Sequence, residues 1–379
     1  MTALWQEARH ILCVRLDSLG GVLMCTPAMR ALRQAVPGRT LTLLAAPSGA
    51  AAQPFIPELD DAIAWTAPWS TCEDGRQEDL PSVPAGGLPL IAALAARAFD
   101  AAVIFTTYTQ SALPAALLCQ LAGIPLRLAH CRDHPDGLLT DWVPDPEPAP
   151  LVRHEVRRQL ALVERAVCRN IQPGLSFVPR PADVAATRMH LSMAGVDPDR
   201  PWILLHPGAG AAARRYPPGH WAQVLRLLAH DESLPLVLAG SAAQAQLVDD
   251  IRLASAVPAV SLAGRLSLGE LGAALGLAAV AVTSDIGPAH IAAAVGAPVV
   301  DLYALTHPQH TPWNVRSRVL FHDVPCRFCY ASTCPEGHQA CLAGVAPRRV
   351  ADAVRELLAA ARPRRTAPPA EAPGTSVPS

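Results

Sequence analysis

From residue 11 onward the chain alternates short, nearly unbroken apolar runs with longer stretches whose apolar residues recur at three- and four-residue spacing. The first pattern fits a strand covered on both faces and the second an amphipathic helix, so their alternation predicts βαβ units around parallel sheets. In the first half the predicted strands are ILCVRL (11–16), LTLLA (41–45), AIAW (62–65) and AAVIF (101–105), with helices over 22–34 and 88–98. Residues 131–150, rich in Asp, Pro and His, read as a long loop, and an amphipathic helix bearing several arginines follows over 153–168. A second series begins after a proline-bearing connection at 172–181. Its strands are WILLH (202–206), LVLAG (236–240), AVAVTS (279–284) and PVVDLY (298–303), with helices over 218–230, 244–254 and 288–295. The fold class is therefore α/β, with two Rossmann-like, doubly wound domains at 1–175 and 182–345, a C-terminal helix at 346–362 and a tail of disordered composition at 363–379. Ligands of such sheets bind outside the carboxyl ends of the strands, so the chemistry is sought just after them.

The 379-residue length supports the same division, at roughly 150 residues per domain. Thirty-one basic against 32 acidic residues leave a formal charge of -1, which excludes a general grip on a polyanion and makes nucleic acid an unexpected partner. Every basic residue is arginine, which rules out Schiff-base lysine chemistry and a lysine-bearing phosphate loop of the Walker A type. The best apolar run, 271–282, falls short of the roughly 18 residues that span a bilayer and is broken by glycine. The N-terminal stretch carries an acidic residue and no cleavable leader pattern, and the ten cysteines are scattered except for one cluster. A cytoplasmic protein with reduced thiols is expected.

Three segments after strands carry the candidate chemistry. RLDSLGGVLMCTPAMRAL (15–32) places Gly20 and Gly21 in a tight turn before a helix whose free amides point outward; as plain punctuation the same glycines have no function. HPGAGAAARRYPPGHW (206–221) offers Arg214 and Arg215 as forked donors for an anion, or as ordinary surface charge. SDIGPAHIAAAVGAPVVDLY (284–303) places Asp285 at a strand end and opens a helix at Gly287 and Pro288, with His290 one turn in. That start suits a diphosphate and Asp285 suits sugar hydroxyls; the alternative is an N-cap and a packed histidine.

Together with SLAGRLSLGELGAALGLAAVAVTSDIGPAHIAAAVGAPVV (261–300), these segments resemble the family 9 glycosyltransferases, which include the ADP-heptose:lipopolysaccharide heptosyltransferases, over about residues 9–361. The resemblance implies a GT-B fold with the acceptor on the N-terminal half and the nucleotide-sugar donor on the C-terminal half. It implies Arg214 on the donor phosphates, Asp285 on the sugar, and Gly287, Pro288 and His290 at the helix start near the diphosphate. Gln244 takes the slot where the family commonly has a glutamate for the nucleotide ribose. The first loop departs from the pattern, because family members read Gly-Asp, with the aspartate as general base, where this chain has Gly20 and Gly21. Three alternatives remain at this point: Asp17 in the same loop is the base, another residue is, or catalysis has been lost or altered.

The resemblance thus implies inverting transfer of a sugar, heptose from ADP-heptose, to a lipopolysaccharide-type or similar lipid-linked glycan acceptor. A nucleotide-sugar-binding homologue without transferase activity and a GT-B-like sugar-nucleotide epimerase are the rivals. No cofactor is called for if Arg214 and the Gly287 helix neutralise the diphosphate. Cys326, Cys329, Cys334 and Cys341, spaced C-x2-C-x4-C-x6-C around His338, would hold zinc or an iron–sulfur centre, or else form a compact loop beside the cleft without metal. Arg153, Arg157, Arg158 and Arg165 form a solvated helix face, or one drawn to the phosphates of a lipid-linked acceptor or of the inner membrane leaflet, with the protein in peripheral contact there.

Overall fold

The computed structural model describes residues 3–69, 87–149, 152–166, 172–284, 286–306 and 308–361. The first lobe holds strands β1 (His10–Arg15), β2 (Thr40–Ala45), β3 (Asp61–Ala64), β4 (Ala101–Ile104), β5 (Leu126–Cys131) and β6 (Asp141–Pro144), in spatial order β3-β2-β1-β4-β5-β6. The second holds β7 (Ile203–His206), β8 (Leu236–Leu238), β9 (Val260–Ser261), β10 (Val280–Thr283), β11 (Val299–Leu302) and β12 (Ser317–Leu320), in order β12-β11-β10-β7-β8-β9. Read from the other edge, the second order repeats the first. Every neighbouring pair is parallel. Two such lobes facing one another make a GT-B fold.

The inner strands are legible as apolar runs because helices cover both their faces; β4, β7 and β10 are buried at every position. Four strands fall outside the predicted set. The supposed loop at 131–150 contains β6, a short edge strand that its Asp and Pro residues disguise. β9 and β12 are likewise short edges. β5 carries Arg127 and His130 inside the sheet, which breaks the apolar pattern, yet both are buried. Arg127 donates to the carbonyls of Ile124 and Leu138, each at 2.6 Å.

The helix Leu19–Ala35 starts three residues earlier than its pattern predicts. Ser18 is extended at the N-cap and its carbonyl accepts from the Val22 amide at 3.1 Å, so Gly20 and Gly21 form the first helical turn and not a free turn before it. In the second lobe the helix Ile286–Ala294 packs against Leu19–Ala35. One apolar core therefore runs from Ile11, Leu41 and Val103 through this contact to Leu204 and Val299.

The connection between lobes lies along the first. Phe177 stacks on Phe55 with ring centres 4.8 Å apart, and Arg30 donates to the carbonyls of Gln172 and Gly174 at 2.9 Å. The chain enters the second lobe with the helix Pro181–Met193, which packs on Leu268–Leu277, and the final helix Pro347–Ala361 packs on Pro218–Asp231. The tail expected from 363 and the end of the arginine helix at 167–168 lie outside the described residues. Among the described residues, no helix is long and apolar enough to cross a membrane.

Candidate active site

In a sheet of this winding the direction of strand order reverses between β1 and β4, and between β7 and β10. Chains leaving those strands diverge and open a crevice. The segments expected to carry the chemistry leave the sheets at those points. Between the lobes they line a cleft of about 350 Å³, in which Gly20 and Ser48 of the first lobe face Arg214, Gln244, Gly287 and Pro288 of the second. Leu266, Leu268 and Leu271 supply an apolar wall. Ser48 and these leucines escape notice in the sequence; the one local signal nearby is the Ser267-x-x-Glu270 capping box that starts their helix.

The cleft is built for negative charge. The helices Leu19–Ala35 and Ile286–Ala294 both present their N-terminal ends to it, and a Cβ placed on Gly287 would lie 3.8 Å from Leu19 Cδ2. Free amides and the positive ends of two helix dipoles there favour an anion. Arg214 closes the short turn Ala212–Arg214, which is braced from behind: the Ala213 amide donates to the Ser332 carbonyl at 3.0 Å, and Gln339 Nε2 to the Ala212 carbonyl at 3.2 Å. The Gln244 amide lies directly over Gly208, where an added Cβ would meet Gln244 Cδ at 2.1 Å, so any larger residue at 208 would displace the Gln244 side chain. Gln244 Oε1 accepts from the Ser241 amide at 3.0 Å.

Other expected donor contacts stand apart from this lining. Arg215 is exposed, and its Nε points back to the Ala209 carbonyl at 3.4 Å. His290 is fully buried behind the helix start, with no hydrogen-bond partner for either ring nitrogen among the described residues. Burial, and then His154 and His310, hold its pKa well below the usual value. It is a packed, neutral histidine and not a cleft-lining one. Asp285 lies outside the described residues.

Around the first loop the structure assembles a charged group that the sequence conceals. Asp17, 23% exposed, pairs with Arg15 Nη2 at 2.7 Å, and its Oδ1 accepts from Gln110 Nε2 at 2.7 Å. Arg15 is itself buried and donates through Nη1 to Glu155 at 2.7 Å. Burial alone would push Glu155 up, but Arg15, backed by His310 and Arg158, outweighs it and holds that carboxyl at about 2. Gly21 belongs to the same group. A Cβ there would sit 2.8 Å from Asp17 Cβ and 3.0 Å from Arg15 Nε, so the space of a side chain at 21 is already taken.

The arginine helix is not a uniform solvated face. It spans Glu155–Val163, and Arg158 is wholly buried, forked onto Asp145 at 2.7 and 2.9 Å and reaching Glu147 at 3.1 Å. Arg153 also pairs with Glu147. Arg157 and Arg165 remain exposed, with the Arg157 guanidinium 5.6 Å from the centre of the Trp313 ring. Cys326, Cys334 and Cys341 are half-buried and Cys329 is exposed. Among the described residues no three His, Cys, Asp or Glu side chains converge as a metal site. The cysteine segment packs behind the Arg214 turn through Ser332 and Gln339.

Burial lowers the pKa of His130 and of His310 to about 4. An unfolded histidine takes up its proton near 6.5, so between about pH 6.5 and 4 the unfolded chain binds more protons and the fold loses stability as pH falls. We expect the denaturant midpoint to decline through that window and to show no histidine contribution above pH 7. A midpoint unchanged between pH 7 and 5 contradicts the burial of these neutral rings.

The model of glycosyltransferase family 9 (heptosyltransferase) matches residues 88–340. The lipopolysaccharide heptosyltransferase 2 of Escherichia coli (strain K12) is 26% identical over 369 residues, covering 92% of this chain and 98% of that protein. The solved structure of E. coli ADP-heptose lps heptosyltransferase II superposes with a TM-score of 0.68 at 25% identity, over 93% of this chain and 99% of that one. The family 9 glycosyl transferase of Veillonella parvula DSM 2008 shares the fold, with a TM-score of 0.74 at 17% identity over 93% and 98% of the two chains.

Proposed function

The chain belongs to glycosyltransferase family 9 (heptosyltransferase), and from that premise we propose that it transfers heptose from ADP-heptose, with inversion, to a lipopolysaccharide-type acceptor at the cytoplasmic side of a membrane. The observation that carries the reading is the interlobe cleft, where two helix N-termini and Arg214 converge on a space that suits a sugar diphosphate. The name of the solved E. coli relative supports ADP-heptose as the donor. The acceptor is a lipid-linked glycan held by the first lobe.

In the proposed reaction the acceptor oxygen attacks the anomeric carbon from the face opposite the diphosphate. Its proton passes to Asp17, the new glycosidic bond forms, and the bond to the β-phosphate oxygen breaks with its electron pair leaving on ADP. Arg214 and the helix start at Gly287 and Pro288 neutralise that leaving charge in a partly water-excluded site. Gln244 holds the nucleotide ribose and Asp285 the sugar hydroxyls. Arg215 and His290 act behind this lining, on the shape of the loop and of the helix start.

Arg214→Ala removes a charged, forked donor, worth about 1.5–3 kcal/mol. It is expected to weaken ADP-heptose binding about 10- to 100-fold in calorimetry; unchanged affinity contradicts the donor site. The rival reading, a binding protein that has lost catalysis, rests on Gly21. The two readings predict opposite results for Gly21→Asp. If Asp17 is the base, the new side chain collides with it and transfer falls; if catalysis was lost with the aspartate, transfer appears only in the variant.

A further inference from the structure

We infer that Gln309 of the second lobe is a positioning residue for the base of the first, acting through Glu155 and Arg15 on the carboxylate of Asp17. The inference rests on the reading of Asp17 as the base. Its basis is a continuous run of buried hydrogen bonds across the lobe boundary. Gln309, fully buried, donates through Nε2 to Glu155 Oε2 at 3.0 Å, and its carbonyl accepts from the Glu155 amide at 2.9 Å. Its own Oε1 accepts from the Tyr330 hydroxyl at 3.0 Å, which fixes the orientation of the amide. Glu155 Oε1 accepts from Arg15 Nη1 and from Gln159 Nε2, both at 2.7 Å. Arg15 Nη2 then reaches Asp17 at 2.7 Å.

Arg15 has little else to hold it. Its Nε has no partner among the described residues, and the two carboxylates of Glu155 and Asp17 define the plane of its fork. Without Gln309, Glu155 Oε2 keeps only the His310 ring, 4.0 Å away, among the described residues, and the carboxylate is held through Oε1 alone, about which it can pivot. A rotated Glu155 carries Arg15 with it, and Arg15 carries Asp17. Buried ion groups of this kind seldom stabilise a fold more than apolar residues of the same volume would. Here the group ends on Asp17, whose next neighbours in the chain, Ser18, Leu19 and Gly20, line the cleft, so its consequence is geometric: the base is in place only when the second lobe, which holds the donor, is docked.

The test is a double-mutant cycle on the full-length protein with ADP-heptose and a lipopolysaccharide-core acceptor. Gln309→Ala, and Gln309→Met as a volume-conserving partner, are each expected to lower kcat about tenfold with the KM for ADP-heptose within about twofold. In an Asp17→Asn background the same changes are expected to cost nothing further, because residues acting as a unit are not additive. An equal loss in both backgrounds, or wild-type kcat in the Gln309 variants, overturns the positioning role. A wild-type rate left unchanged by Asp17→Asn overturns the base assignment itself and this inference with it. A crystal structure of Gln309→Met gives a readout free of turnover: the Arg15 to Asp17 pair is expected to separate, and an unmoved pair overturns the proposal.

Discussion

Asp17→Asn is expected to lower kcat by about 10²- to 10⁴-fold, the range a positioned general base contributes, while ADP binding stays near wild type. The expectation follows from what surrounds the residue. Gln110, on the segment leaving β4, and Arg15, at the end of β1, hold the carboxylate between them across the point where the first sheet changes winding. Gly21 leaves the volume that this arrangement needs. A glycine within a helix costs about 0.5–1 kcal/mol relative to alanine, and close approach of Asp17 and Arg15 is the physical reason for it here. Asparagine keeps the shape and the contact with Gln110 but cannot take a proton at neutral pH. Steady-state kinetics with ADP-heptose, together with calorimetry on ADP, separate the two effects; a drop below threefold in kcat contradicts the role of Asp17.

Arg158→Ala is expected to destabilise the first lobe by about 3–5 kcal/mol, the cost of removing one partner from a buried ion group. Asp145 and Glu147 lose their shared guanidinium, and Glu147 stays buried beside Arg153 alone. For Asp145, burial would raise the pKa, but the Arg158 fork outweighs it and lowers the carboxyl below its usual value. The stabilisation from this pair is therefore present above the ordinary carboxyl range and lost as pH falls through the lowered value. Arg158 Nε also donates to the Thr106 carbonyl at 2.8 Å, at the root of the segment that carries Gln110. Urea unfolding of the variant measures the loss, and a change under 1 kcal/mol contradicts the buried network. The same observation removes Arg158 from any surface that meets a phosphate headgroup.

The parts of this molecule that declare themselves in the chain are those governed by local rules. Runs such as those of β1, β4, β7 and β10 are apolar because helices cover both faces, and the glycines, prolines and arginines after them occupy the strand ends where this winding opens a cleft. Gly20, Arg214, Gln244, Gly287 and Pro288 meet there as their positions imply. What stays hidden depends on partners far along the chain. Arg15 and Glu155 are 140 residues apart, and nothing near either announces a buried pair. Arg158 looks solvated until β6 brings Asp145 and Glu147 beneath it. His290 sits at helical spacing that fits either a ligand contact or a packed side chain, and only burial separates the two.

The most direct measurement is a crystal structure of the protein with ADP-heptose bound. The account predicts the diphosphate between Arg214 and the N-terminal turn of Ile286–Ala294, with the anomeric carbon turned toward the Asp17 side of the cleft. Density for the nucleotide in another crevice, with Arg214 left facing solvent, contradicts it.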